Sequence, residues 1–210
     1  MLRCRNFVVP LRLEIFMKDE ILNTAERLFL KYGLRSVSID DICNELHISK
    51  KTFYAYFKQK EQLVQEMLDE SYRKRAEIKQ VSDDERNIID AILENSSYFV
   101  SKQSAAKRHL AFYYDLDKYY PTLHEGFKQK MRDLDRQYLA DIIKKGITQG
   151  WFREDLNIEF TSILVAETIN TLIARKIEGM VMADKIKATT DVLLRIVCNE
   201  KGMKYYMEKI

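Results

Sequence analysis

Apolar residues recur along this chain at intervals of three and four, the spacing that lines one face of an α-helix. From residue 17 to 32 the set Ile21, Leu22, Ala25, Leu28, Phe29 and Tyr32 keeps that spacing. Gly33 follows, where a helix end favours a residue tolerant of positive φ. Ser38-Ile39-Asp40-Asp41 reads as a capping box with Asp in place of Glu, opening a short helix to Leu46. His47-Ile48 breaks the pattern and Ser49 can cap a third helix over 50–57. A fourth runs from Lys60 toward Lys79, with Leu63, Val64, Met67, Leu68 and Tyr72 on its apolar side. After a joint at Val81-Ser82-Asp83-Asp84, the periodicity predicts helices over 88–100, 105–116, 121–149, 158–177 and 184–198. No stretch alternates as a strand does, so the chain reads as all-α, with about nine helices.

Composition strengthens that reading. Six Gly and two Pro in 210 residues are too few for the tight turns of an all-β fold. A 46% hydrophobic content can bury a sizeable core, and the length allows a small unit joined to a larger one. The net charge is only +3, but it is unevenly placed. Residues 1–80 hold 15 Lys and Arg against 12 Asp and Glu, and the remainder is neutral. Cys4, Cys43 and Cys198 are odd in number and widely spaced, which suits free thiols in a reducing cytoplasm, not a disulfide framework or a zinc site. No run reaches the ~20 apolar residues of a membrane helix, so no membrane role is expected. Residues 1–16 are basic and apolar with Pro10 in the middle. They lack the form of a signal peptide and read as either a mobile arm or residues ahead of the true start.

The chemistry concentrates in residues 38–60. Two short helices separated by three or four residues, with Ile42, Leu46, Ile48, Phe53 and Phe57 able to pack between them, make a helix-turn-helix. Residues 49–60 contain four Lys and no acid. At 100° per residue, Lys50, Lys51, Thr52, Tyr54, Ala55 and Lys58 share one broad arc, while Phe53 and Phe57 lie opposite with Tyr56 beside them. One face anchors the helix and the other offers ammonium groups, a hydroxyl and a phenol. A helix fits the major groove of duplex DNA, where Lys donates to guanine and Thr packs on or donates to a base edge. Ser38, Ser49 and Lys60 stand at helix starts, where free N–H groups attract phosphate.

Residues 17–68 resemble the DNA-binding domain of TetR-type transcriptional regulators. The matching string is Ala25-Glu26-Arg27-Leu28-Phe29, Tyr32-Gly33, Ser38-Ile39-Asp40-Asp41-Ile42, then Ile48-Ser49-Lys50-Lys51-Thr52-Phe53-Tyr54-Ala55-Tyr56-Phe57 and Lys60-Glu61-Gln62-Leu63. The resemblance implies a helix-turn-helix domain over 17–64 and a larger helical ligand-binding and dimerisation domain over 65–210. It makes Lys50, Lys51 and Thr52 the base-reading residues. It makes Tyr54, Tyr56 and Lys60 phosphate contacts, with Ser38 and Ser49 at the caps. The chain departs from the family at three positions. His47 stands where Gly is usual in the turn, at a cost of about 1 kcal/mol if φ is positive. Cys43 replaces the usual Ala, and Lys51 a common Gly.

The family plan also implies a homodimer on an operator of double-stranded DNA, released by a small apolar or aromatic ligand. Ile163, Leu164, Leu172, Leu193, Ile196 and Val197 on the last two predicted helices are the dimer candidates. Phe99, His109, Tyr113 and Phe127 are the pocket candidates, although aromatics at helical spacing are mainly core. His109 and His124 have no partners at metal spacing, and no nucleophile–base pair, phosphate loop or zinc signature is present. No metal, cofactor or enzymatic activity is therefore expected. The alternatives are an activator, a ligand-independent regulator, a helical enzyme carrying a helix-turn-helix, or a protein–protein module with a basic helix.

Overall fold

A computed structural model describes residues 11–79, 86–101, 110–175 and 177–210. The described residues form ten helices: α1 (Leu11–Tyr32), α2 (Ile39–Glu45), α3 (Lys50–Tyr56), α4 (Lys60–Ile78), α5 (Ile88–Ser101), α6 (Leu110–Tyr119), α7 (Pro121–Thr148), α8 (Ile158–Ala174), α9 (Met182–Val197) and α10 (Glu200–Met207). The all-α expectation holds. Among the described residues the nearest thing to a sheet is one isolated bridge between Phe152 and Cys198.

The two ends of the helical series differ from the periodicity. The first helix begins at Leu11, not Met17. Leu, Arg and Glu in this extension are good helix formers, and no Gly or Pro interrupts residues 11–32. The predicted start of α6 and the joint at Val81–Asp84 lie outside the described residues. At the other end, α10 follows the helix expected to be last. Asn199 caps it by accepting from the Gly202 amide at 2.9 Å. A Cβ at Gly202 would lie 2.1 Å from the Trp151 carbonyl oxygen, so only glycine fits there.

The chain divides into two compact units. The first comprises residues 1–73 and 108–127, and the second 74–107 and 128–210. The first core contains Ile21, Phe29, Leu34, Ile42, Phe53, Phe57 and Leu63, all fully buried. Phe112 and Leu116 of α6 are buried in this same core, and Tyr120, Leu123 and Phe127 pack against it. Polar contacts reinforce that join. The Arg35 amide donates to Asp115 at 2.8 Å, and the Arg35 guanidinium lies over the Tyr119 ring. The second core gathers Ile88, Ile89, Ile142, Ile143, Phe152, Val165, Leu194, Val197 and Tyr206 from α5 and α7 to α10.

Candidate functional site

The helix-turn-helix segment is held by local chemistry at the start of each of its helices. Ser38 caps α2: its hydroxyl accepts from the Asp41 amide at 3.1 Å, and its amide donates to the Asp41 carboxylate at 2.7 Å. These bonds from Ser38 hold the Asp41 carboxyl below the usual range, and Lys60 assists. Ser49 caps α3 by accepting from the Thr52 amide at 3.0 Å, and the two hydroxyls pair at 2.9 Å. Between the helices, His47 has φ +54°, the only positive value at a non-glycine residue among those described. The turn closes with the Ile48 amide donating to the Cys43 carbonyl at 3.0 Å.

The faces of α3 divide as the helical period predicts. Phe53 and Phe57 are fully buried, with their rings 5.7 Å apart. Lys50, Lys51, Tyr54, Ala55 and Lys58 are exposed, Thr52 is half-buried, and Tyr56 is half-buried against the core. Tyr54 is 49% exposed, and its ring meets the edge of Phe53. The Lys50 ammonium lies 2.8 Å from the exposed Asp40 carboxylate, which raises the lysine above its ordinary value. Screened pairs of this kind contribute little to stability. Lys50 can therefore exchange Asp40 for phosphate or a base edge.

Lys60 is placed differently from its neighbours. Its ammonium donates to the carbonyls of Leu34 and Val37, each at 2.5 Å, and sits over the Phe29 ring. Burial depresses this lysine, while Asp115 and Asp41 partly offset the effect. The side chain ties the start of α4 to the loop after α1. That role was not legible in the motif, because a lysine's direction at a helix start depends on carbonyls twenty-odd residues away.

In the second unit, helices α4, α5, α7, α8 and α9 line a cavity of about 470 Å³. Most of its wall area is apolar, including Ile92, Leu139, Ile142, Ile169, Met182 and Ile186, and the lining also carries the neutral polar side chains of Asn95, Ser96, Asn170, Thr189 and Thr190. One charged cluster interrupts it. Asp135, only 9% exposed, takes Lys79 Nζ at 2.6 Å and Arg75 Nη2 at 3.4 Å. Burial pushes Lys79 down against the pull of Asp135. The Lys79 ammonium lies over the Tyr138 ring, and Asn95 donates to the Tyr138 hydroxyl at 2.6 Å. Burial raises the Tyr138 phenol.

The pocket candidates read from the sequence do not line this cavity where they can be placed. Phe127 packs on the first core, and Tyr113 is 38% exposed beside the His124 ring. His109 and the side chain of Phe99 lie outside the described residues. The physical reason is the join described above: α6 and the first turns of α7 belong to the first unit. The apolar lining that was missed is, in sequence, indistinguishable from core.

The apolar stripe on α8 and α9 is split. Ile163 and Leu164 are exposed, together with Phe160 and Val192, and Leu172 and Ile196 are half-buried. Leu193 and Val197 are buried in the chain's own core, so these two of the six dimer candidates face inward. Among the described residues no helix is long and apolar enough to cross a membrane, and no His, Cys, Asp and Glu group could hold a metal ion.

Comparison with known proteins agrees with the helix-turn-helix geometry. Residues 21–67 match the model for bacterial regulatory proteins of the tetR family. The chain is 25% identical over 155 residues to the transcriptional repressor KstR2 of Mycolicibacterium smegmatis, covering 72% of this chain and 75% of that one. It is 27% identical over 168 residues to the regulator QacR of Staphylococcus aureus, covering 75% and 84%. A solved TetR-family regulator from Cytophaga hutchinsonii superposes with a TM-score of 0.66 at 18% identity, over 92% of this chain and all of that one.

Proposed function

Because the chain belongs to the TetR family of DNA-binding transcriptional regulators, we propose that it acts as a homodimeric repressor released from its operator by a small molecule. The observation that carries this reading is the exposed Lys50, Lys51 and Tyr54 face of α3, set on the buried Phe53 and Phe57. In the proposed complex α3 enters the major groove. Lys50, Lys51 and Thr52 read bases, while Tyr54, Tyr56 and the Ser38 and Ser49 caps meet the backbone. Lys60 supports the loop from within and is not counted among the phosphate contacts.

One short helix makes few base contacts, so two copies across a two-fold site are needed for specificity. The exposed Phe160, Ile163, Leu164 and Val192 offer a self-complementary apolar face for that dimer, flanked by Leu172 and Ile196. Ligand in the 470 Å³ cavity then favours one arrangement of α4, which carries Lys60 at its start and Arg75 in its last turn, with Lys79 just beyond it. Only a difference in ligand affinity between the DNA-fitting and DNA-releasing forms can shift that balance.

Selection of bound fragments from the genome, followed by footprinting, tests the reading. The expected result is a two-fold-symmetric site with log affinity falling linearly against log salt. Lys51→Ala should lose about 1–3 kcal/mol and relax preference at one base position per half-site. A variant with unchanged affinity and preference refutes the assignment of α3 as the reading helix.

A further inference from the structure

We propose that the cavity of the second unit takes an apolar molecule carrying a single carboxylate, with the carboxylate held by Arg75 and Lys79. The inference deepens the ligand-released reading and rests on it for its regulatory consequence alone. Among the described lining residues, the charged groups are Arg75, Lys79 and Asp135, two cations facing one anion. Lys79 and Asp135 are nearly buried and pair with each other, whereas the Arg75 side chain is 39% exposed, so its guanidinium stays open to an incoming anion. The geometry shows where that anion fits. Lys79 is committed to Asp135 at 2.6 Å, but Arg75 reaches the same oxygen only at 3.4 Å. Arg75 Nε is buried and has no hydrogen-bond partner. Nε and a terminal nitrogen of a guanidinium form a fork that matches the two oxygens of a carboxylate.

The alternatives fit less well. A cationic ligand meets a site already positive by one. A neutral alcohol can bond to the polar lining but forms no charge-paired fork with the Arg75 guanidinium. A phosphate dianion brings two negative charges where one is missing. The aliphatic wall formed by Ile92, Leu139, Ile142, Ile169, Met182 and Ile186 calls for an extended hydrocarbon or ring body behind the head group. The volume lies within the ~300–1,000 Å³ usual for small-molecule sites.

Titration calorimetry of the full chain with decanoate, 1-decanol and decyltrimethylammonium tests the proposal, since the three share one body and differ in head charge. Decanoate should bind at least tenfold more tightly than either of the others. Arg75→Gln should reduce decanoate to the level of decanol and leave decanol itself unchanged. Lys79→Met, an apolar replacement of similar length, provides a second reading if the first variant folds poorly, and should also narrow the preference. Equal or tighter binding of the cation or the alcohol overturns the proposal, as does an anion preference that survives both substitutions. The measurement needs no DNA. If decanoate binds as expected but leaves operator affinity unchanged, the carboxylate site stands and release by that ligand falls.

Discussion

The two units bury their apolar residues to different ends. In the first, Ile21, Phe29, Phe53, Phe57 and Leu63 are fully buried, and the groups proposed to meet DNA stand outside on a face of α3. In the second, the helices line a cavity of about 470 Å³ and place a charged cluster on its wall. A packed interior keeps a surface constellation in fixed geometry, as a reading helix requires. A cavity with a largely apolar wall offers burial to an apolar molecule of matching size. Under the proposed function, the contrast suits the first unit to a fixed reading face and the second to a ligand.

The largest expected effect strikes the packed side. Phe53→Ala removes a fully buried ring beneath the reading face and should cost about 3–5 kcal/mol. Urea denaturation followed by circular dichroism checks it, and a loss under 1 kcal/mol would contradict the solid-core description. A matched pair of insertions tests the contrast directly. Ala25→Leu in the first core, at a site with no exposure, should cost about 1–3 kcal/mol through overpacking. Ala166→Leu, on the cavity wall, should change stability by less than about 1 kcal/mol and abolish decanoate binding. Equal penalties would remove the distinction between the units.

Lys60→Met should be smaller, at about 1–2 kcal/mol, because it leaves the Leu34 and Val37 carbonyls without their donor. The salt dependence of DNA affinity should keep its slope. A slope flatter by about one unit would instead restore the phosphate contact implied by the family resemblance. Smallest of all, His47→Gly should raise stability by about 0.5–1 kcal/mol, since φ +54° strains any side chain bearing a Cβ. Thermal unfolding resolves a shift of that size.

What the sequence disclosed follows the same division. The Ser38 and Ser49 caps, the positive φ at Gly33 and His47, and the Phe53–Phe57 anchor all depend on residues within one or two turns of each other. Such signals survive in a linear reading. The bonds of Lys60 to the Leu34 and Val37 carbonyls were not legible because those partners are 26 and 23 residues away. The cavity was missed because Leu139 or Ile169 looks the same in sequence whether it faces a void or a neighbour. The inward turn of Leu193 and Val197 depends on which of two apolar stripes on α9 meets α5 and α8, and periodicity alone does not choose. The short α10 was hidden by its glycine, which lowers helix propensity yet is demanded by the Trp151 carbonyl.

The return of residues 108–127 to the first unit bears on how such a protein can be remodelled. Phe112 and Leu116 complete its core, and Asp115 holds the amide of Arg35. The DNA-reading head is therefore not a detachable cassette. A recombination event that joined residues 1–73 to a foreign ligand sensor would inherit a head lacking the buried Phe112 and Leu116 side chains and the Asp115 bond to the Arg35 amide. Exchange of specificity within this architecture must proceed by substitution on the α3 surface, or by transplanting both segments together.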